Sequence, residues 1–268
     1  MKPHPGFWQD IVANPDDDTP RLIYADWLDD HDESERAELI RLQCELETLT
    51  ASSDRYFELQ SRGNELKIAL DDYSALPELA GINFAPTFSR GFQSLAVLKL
   101  GSLSKRAVSN SLKSLFKTTT IRHLHVDGRF APIRRLFEHP ECAELEELTL
   151  TINGVPRELA PLFEIANLPR LRSLTLSAPI QDGDLRALAR NPTLNSLRSL
   201  HFTSGGLTEA RIRELTEAPW LNEIQELEIV GWGFDPTAFQ ILCDAGPFPN
   251  LWRLNVNGTI HSPNVLDL

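Results

Sequence analysis

A chain of 268 residues with 41% hydrophobic content can bury a large core, while its net charge of −12 speaks against a protein built as a whole to hold polyanions. No apolar run approaches ~18 residues, which excludes a membrane-spanning helix of ordinary length. The stretch Met1–Trp8 has neither an apolar h-region nor a small-residue cleavage site, so no signal peptide and a cytoplasmic location are expected.

The imbalance of charge is local. Residues 1–80 carry 19 Asp/Glu against 7 Lys/Arg, and residues 81–268 carry 19 of each, which implies two domains. Residues 90–135 hold ten Lys/Arg against the single acid Asp127. The widely separated Cys44, Cys142 and Cys243 form neither a metal-type pair nor a disulfide framework, so reduced buried thiols are expected.

In chain order, residues 7–13 predict a short helix ending before Asn14-Pro15, because the residue preceding proline is pushed out of the α region. Asp16-Asp17-Asp18-Thr19-Pro20 reads as a second helix start, with Thr19 as N-cap, Pro20 in the first turn and acids at the positive end of the helix dipole. That helix runs to about Asp30. Asp26, Asp29 and Asp30 then gather on one face near its C-terminus, with His31 adjacent, where the dipole and mutual repulsion disfavour acids. Either solvent screens them or a cation offsets the cost. A third helix spans about Ser34 to Thr48, with one buried stripe at Leu39, Leu42, Leu46 and Leu49. A fourth spans about Asp54 to Leu70, with Tyr56, Leu59, Leu66 and Leu70 as its stripe and Gly63 as an interior irregularity.

The run Asn14-Pro15-Asp16-Asp17-Asp18-Thr19-Pro20-Arg21-Leu22-Ile23-Tyr24-Ala25-Asp26-Trp27-Leu28, with Glu35-Arg36-Ala37-Glu38-Leu39-Ile40-Arg41-Leu42-Gln43 after it, resembles the bacterial repeat-companion domain. The resemblance covers residues 7 to about 50. It implies a short helical module placed before leucine-rich repeats, and it carries over no catalytic residue.

Residues 76–94 read as a junction interrupted by Pro77, Gly81, Pro86 and Gly91, and as a cap for the segment beginning at Leu95. From there an L-x-x-L-x-L frame recurs at Leu95, Ile121, Leu145, Leu171, Leu197, Ile224 and Leu251, with spacings of 26, 24, 26, 26, 27 and 27 residues. Residues two apart on a strand share a face, so each frame is a strand with one aliphatic side, and a unit this small buries that side only by stacking on its neighbours. Frame and period are those of leucine-rich repeats. The expected fold is α/β: a small all-α module over residues 1–75, the junction, and over residues 95–268 a solenoid of about seven units with a parallel sheet on the concave side and helices on the convex side. The helical stripes are Val108, Leu112, Leu115 and Phe116, then Ile133, Leu136 and Phe137, then Leu185, Leu188 and Ala189, then Ile212 and Leu215, then Phe239, Ile241 and Leu242. Only Asn153 stands where an asparagine ladder would bond the turn after the strand, so the other turns must satisfy their backbone differently. Gly205-Gly206 reads as one such turn. After Val256, the last strand is either exposed or covered by residues 257–268, and an exposed edge would allow self-association.

Alternation predicts the free face. His123 and His125, Glu147, Thr149 and Thr151, Ser173, Thr175 and Ser177, Ser199, His201 and Thr203, Glu226 and Glu228, and Arg253 and Asn255 all point outward. Such a polar wall suits a protein or peptide partner better than an apolar small molecule. The basic helices of the first two units, through Lys105, Arg106, Arg134 and Arg135, are expected to meet the acids Asp26, Asp29 and Asp30 within the chain.

There is no G-x-S-x-G elbow, phosphate-cradling glycine loop or H-E-x-x-H, so neither enzyme activity nor a cofactor is expected. The expected role is a non-enzymatic scaffold or adaptor for protein–protein interaction. Two other readings stay open: a metal-dependent protein or hydrolase using Asp26, Asp29, Asp30 and His31 or the His123/His125 pair with Asp127 and Glu147, and a regulator that binds polyanion or nucleic acid on the basic surface.

Overall fold

The computed structural model describes residues 4–49, 53–69, 78–85, 87–100, 104–153, 158–203, 208–230, 236–256 and 259–261. The positions Leu70 and Gly205-Gly206, to which the sequence assigned a buried stripe and a turn, lie outside the described residues. The protein is a mixed α/β structure in which parallel strand pairing dominates. It divides into two compact units, residues 1–79, 84–96 and 113–121 in the first and residues 80–83, 97–112 and 122–268 in the second.

The first unit is built on α1 (Pro5–Ala13), α2 (Thr19–Asp29), α3 (Ser34–Leu46) and α4 (Asp54–Ala69). The expected N-cap moves: Thr19 is itself helical, and the Asp17 carboxylate accepts its N–H at 2.8 Å. Arg21 is buried, and its guanidinium donates to the carbonyls of Pro15 and Asp17, both at 2.8 Å, so the aspartate-rich loop wraps around a cation. The single stripe expected on α3 is two. Ala37, Ile40 and Cys44 pack with Ile11, Tyr24, Ala25 and Leu28, while Leu39 and Leu42 turn to Leu59 and Leu66 of α4. Gly63 explains itself there, since a Cβ at that position would lie 3.1 Å from Leu42 Cδ2. The glycine lets α4 close on α3.

After α4 come β1 (Ile82–Phe84) and an antiparallel hairpin of β2 (Phe88–Ser89) and β3 (Phe92–Gln93). Arg90 and Gly91 form its turn with φ of 51° and 82°, the double positive φ that a two-residue hairpin of right-handed twist requires. The hairpin is seated on α3. Gly91 N–H donates to Gln43 Oε1 at 2.7 Å, Gln43 Nε2 donates to Phe88 O at 3.2 Å, and Phe92 enters the cluster around Ile40.

Next are β4 (Leu95–Lys99), α5 (Lys105–Thr118), β5 (His123–Gly128), α6 (Phe130–Leu136), β6 (Glu147–Ile152), α7 (Ala160–Phe163), β7 (Ser173–Ser177), α8 (Asp184–Arg190), β8 (Ser199–Phe202), α9 (Glu209–Thr216), β9 (Glu226–Ile229), α10 (Pro236–Asp244), β10 (Arg253–Val256) and β11 (Thr259–His261). Among the described residues one sheet of nine strands runs β1-β4-β5-β6-β7-β8-β9-β10-β11. From β5 to β10 each strand pairs in parallel with the next in sequence, and equivalent frame positions stand opposite one another.

The second frame position carries the join. The carbonyls of Arg122, Glu146, Arg172, Arg198 and Gln225 each accept two successive N–H groups from the following strand, at 2.7–3.2 Å. From Leu98 onward the aliphatic frame residues are buried almost completely, and an interior void is lined by strand residues Leu148, Leu150 and Leu174 together with Phe137, Phe163 and Leu188 from the intervening segments. Strand and helix stripes therefore share one core. Two stripes differ in detail: Phe116 is half-buried, and α10 buries Ala238 and Leu242 while Phe239 and Ile241 remain half-exposed.

Turns are satisfied by side chains from the following repeat. The buried Asp184 accepts N–H groups from Leu159 at 2.5 Å, Ala160 at 2.8 Å and Gln181 at 2.7 Å. Burial holds its carboxyl above the ordinary value in spite of these three donors. Glu214 does the same one repeat later for Gly183 N–H, at 3.0 Å, and Asn191 donates to the carbonyls of Phe163 and Ala166 at 2.7 and 2.9 Å. The Asn153 side chain donates to the Asp127 carboxylate, and the turn after it lies outside the described residues. At the end of the sheet, β11 folds back antiparallel on β10, with Val256 opposite Thr259. The last parallel strand is therefore covered.

Candidate interaction surface

Between β5 and β9, leucine, isoleucine, valine or phenylalanine side chains of one parity are buried, apart from the half-buried Ile152, while the polar side chains of the other parity stay exposed or half-exposed. Register sorts the polar ones into rows across the strands. His123, Glu147, Ser173, Ser199, Glu226 and Arg253 form one row, and His125, Thr149, Thr175, His201, Glu228 and Asn255 the next. Asp127, Thr151 and Ser177 form a third. Thr203, just past β8, is exposed, and its N–H donates to Leu176 O at 3.0 Å.

The rows differ along their length. At the β5 end, both imidazoles lean across to the β6 hydroxyls: His123 Nε2 lies 3.3 Å from Thr149 Oγ1 and His125 Nε2 3.0 Å from Thr151 Oγ1. His123 Nδ1 also lies 3.1 Å from Glu147 Oε2. Burial, reinforced by the neighbouring His125 ring, pushes the His123 imidazole down to about 4. At neutral pH the ring is uncharged, so its Nδ1–H donates to the Glu147 carboxylate and Nε2 is left to accept from Thr149.

The middle is different. Thr149, Thr175, Ser173 and Ser177 are small and half-exposed, forming a floor of hydroxyls one strand spacing apart.

At the β9 end, His201 Nε2 lies 2.8 Å from Ser199 Oγ and 3.6 Å from Glu226 Oε2, while Nδ1 lies 3.8 Å from Glu228 Oε2. The neighbouring His201 imidazole holds the Glu226 carboxyl below the ordinary value against the opposing effect of burial. Asn255 Nδ2 donates to Glu228 Oε1 at 3.1 Å. Asn255 was expected among the outward side chains and is instead 9% exposed. Both its neighbours on the sheet are occupied, Glu228 on β9 and Ile260 on β11, so the returning strand encloses it.

The acidic cluster of the first unit finds its cation on the adjacent helix. Arg41 of α3 lies 2.7 Å from both Asp26 and Asp29, while Asp30 and His31 are exposed. The His31 ring stacks on Trp27 at 3.8 Å, and its Nδ1 lies 2.7 Å from Trp27 O. In the second unit Arg106, Arg134 and Arg135 are exposed on α5 and α6. Lys105 opens α5, with its side chain outside the described residues.

Among the described residues no group of three or more His, Cys, Asp or Glu is arranged to hold a metal ion, and no helix is long and apolar enough to cross a membrane. The cysteines are free thiols, and burial pushes Cys44 and Cys142 up to about 12, far from reactive thiolates. No protein-family model matches the chain, and no curated protein matches it.

Several residues that organise these surfaces escaped the sequence reading. Arg41, Asp184, Asn191 and Glu214 act on partners that no periodic pattern ties to them. One signal was readable: Arg90-Gly91 between short apolar segments, since a glycine second in the pair suits the positive φ of a two-residue hairpin.

Proposed function

We propose that the chain is a non-enzymatic interaction scaffold: a leucine-rich-repeat solenoid of about seven units whose concave sheet face receives a protein partner, preceded by a helical module of the repeat-companion type. The single observation that carries this reading is the row Thr149, Thr175, His201, held at equivalent positions of successive parallel strands with its hydroxyl and imidazole groups half-exposed. A partner segment lying across the strands meets one hydrogen-bonding group per strand, ~4.8 Å apart. Acidic side chains flank the row at both ends, Glu147 on one side and Glu226 and Glu228 on the other, and favour a partner segment with basic groups on either side of its centre.

The reading needs no cofactor. The hydroxyl floor offers orientation and specificity rather than an apolar anchor, which fits a reversible adaptor better than a permanent complex.

The test is affinity capture from lysate of the native cell with the wild-type chain and with Thr149→Arg/Thr175→Arg/His201→Arg, both shown to be folded by circular dichroism. The wild type is expected to retain at least one protein that the triple variant loses. Identical capture profiles would remove this face from consideration.

A further inference from the structure

Within the first unit, a cleft of about 400 Å³ opens between the end of α3, one side of α4 and the hairpin of β2 and β3. That is the volume of a small-metabolite site. Tyr56, Gln60, Asn64 and Lys67 line it from α4 at steps of four, four and three, and so share one helical face; Glu47 and Arg90 line it from the other walls.

Its charges do not balance as those around it do. On α3 and α4 the arginines are matched to carboxylates: Arg36 to Glu33 at 3.7 Å, Arg41 to Asp26 and Asp29, Arg55 to Glu45 at 2.9 Å, and Arg62 to Glu38 at 2.7 Å and Glu65 at 3.1 Å. Glu47, the acid in the cleft wall, accepts from Ser89 Oγ at 2.9 Å and faces Arg90 at 3.9 Å. Lys67 is half-buried in the same cleft, and among the described residues no carboxylate reaches it. Burial pulls its amine below the ordinary lysine value. A partly desolvated ammonium without a counter-charge is costly, and an anion entering the cleft removes that cost. Arg90, on the opposite wall, is already matched to Asp18 at 3.5 Å and Glu47 at 3.9 Å, which leaves Lys67 as the unbalanced charge, and the exposed Gln60 and Asn64 amides line the same cleft to donate or accept.

We infer that this cleft binds a small polar ligand through a compact oxyanion, carboxylate or phosphate, with Lys67 as the ionic anchor and Tyr56, Gln60 and Asn64 bonding the body of the ligand. The site is separate from the polar sheet face and stands or falls independently of it.

The test uses the full chain, titrated calorimetrically with citrate and, separately, with inorganic phosphate at constant ionic strength. Lys67→Met removes the charge and keeps most of the stem, while Lys117→Met removes an exposed lysine of the same unit outside the cleft. At least one probe is expected to give a saturable one-site isotherm with the wild type and Lys117→Met, weakened at least about tenfold in Lys67→Met. Saturation by citrate alone assigns a carboxylate ligand, and by phosphate alone a phosphorylated one. Should Lys67→Met fail to fold, Asn64→Leu, which places an apolar group on the exposed cleft face of α4, is expected to give the same loss. Absence of saturation with both probes, or equal affinity in wild type and cleft variant, would overturn the proposal.

Discussion

The two units handle polar groups in different ways. In the first, polar groups are settled one by one through local contacts: Arg21 is wrapped by the loop before α2, Arg41 bridges two aspartates, and Gln43 of α3 fastens the hairpin through one donor and one acceptor. In the second, one solution is copied by translation. A second-position carbonyl takes two N–H groups from the next strand, and a buried side chain of the next repeat closes the turn before it. A translated solution leaves one side of each strand outside the shared aliphatic core, and that side is where the hydroxyls and imidazoles stand in rows. A unit built from single contacts has little such freedom, except in the Lys67 cleft.

This contrast is sharpest at Gly91. A Cβ there would lie 2.2 Å from Ile40 Cγ1 and 2.9 Å from Ile40 Cα, on a backbone already at positive φ. Gly91→Ala is expected to destabilise the first unit by about 3 kcal/mol, combining left-handed strain with overpacking against α3. Denaturant unfolding followed by Trp8 and Trp27 fluorescence measures it. A loss under about 1 kcal/mol would mean that the hairpin is not seated on α3 as described.

The stability of the second unit is expected to depend on pH through one side chain of its polar face. His123 has a folded value of about 4 against 6.5 ordinarily, so the unfolded chain takes up its proton first as pH falls. Its contribution is complete above about 6.5 and is lost progressively toward pH 4, amounting to roughly 2–3 kcal/mol at about 1.4 kcal/mol per pH unit. His123→Gln cannot titrate and is expected to flatten that part of the stability curve. Parallel wild-type and variant curves between pH 6.5 and 4 would contradict the buried, neutral imidazole.

How much of this was readable beforehand depends on the same contrast. The frames at Ile121, Leu145, Leu171, Leu197, Ile224 and Leu251 marked strands correctly because repetition makes a weak local pattern unambiguous, and alternation then assigned His125, Thr149, Thr175 and His201 to one row. Single contacts leave no such trace. Nothing near Asp26 in the sequence distinguishes Arg41 from other arginines, and Ile40 gives no hint that it needs a glycine 51 residues away. Even within the repeats, Asn255 obeyed alternation and still became buried, because a returning strand rather than the period decided its surroundings.

Partner recognition on the sheet face has a direct readout in site-specific photo-crosslinking. A photoreactive phenylalanine analogue at position 175, in the hydroxyl floor, is compared with one at position 190, an exposed site on α8. The account predicts a discrete, saturable protein adduct from position 175 and none of that size from position 190. An adduct formed only from position 190, or equally from both, would contradict recognition through the polar rows.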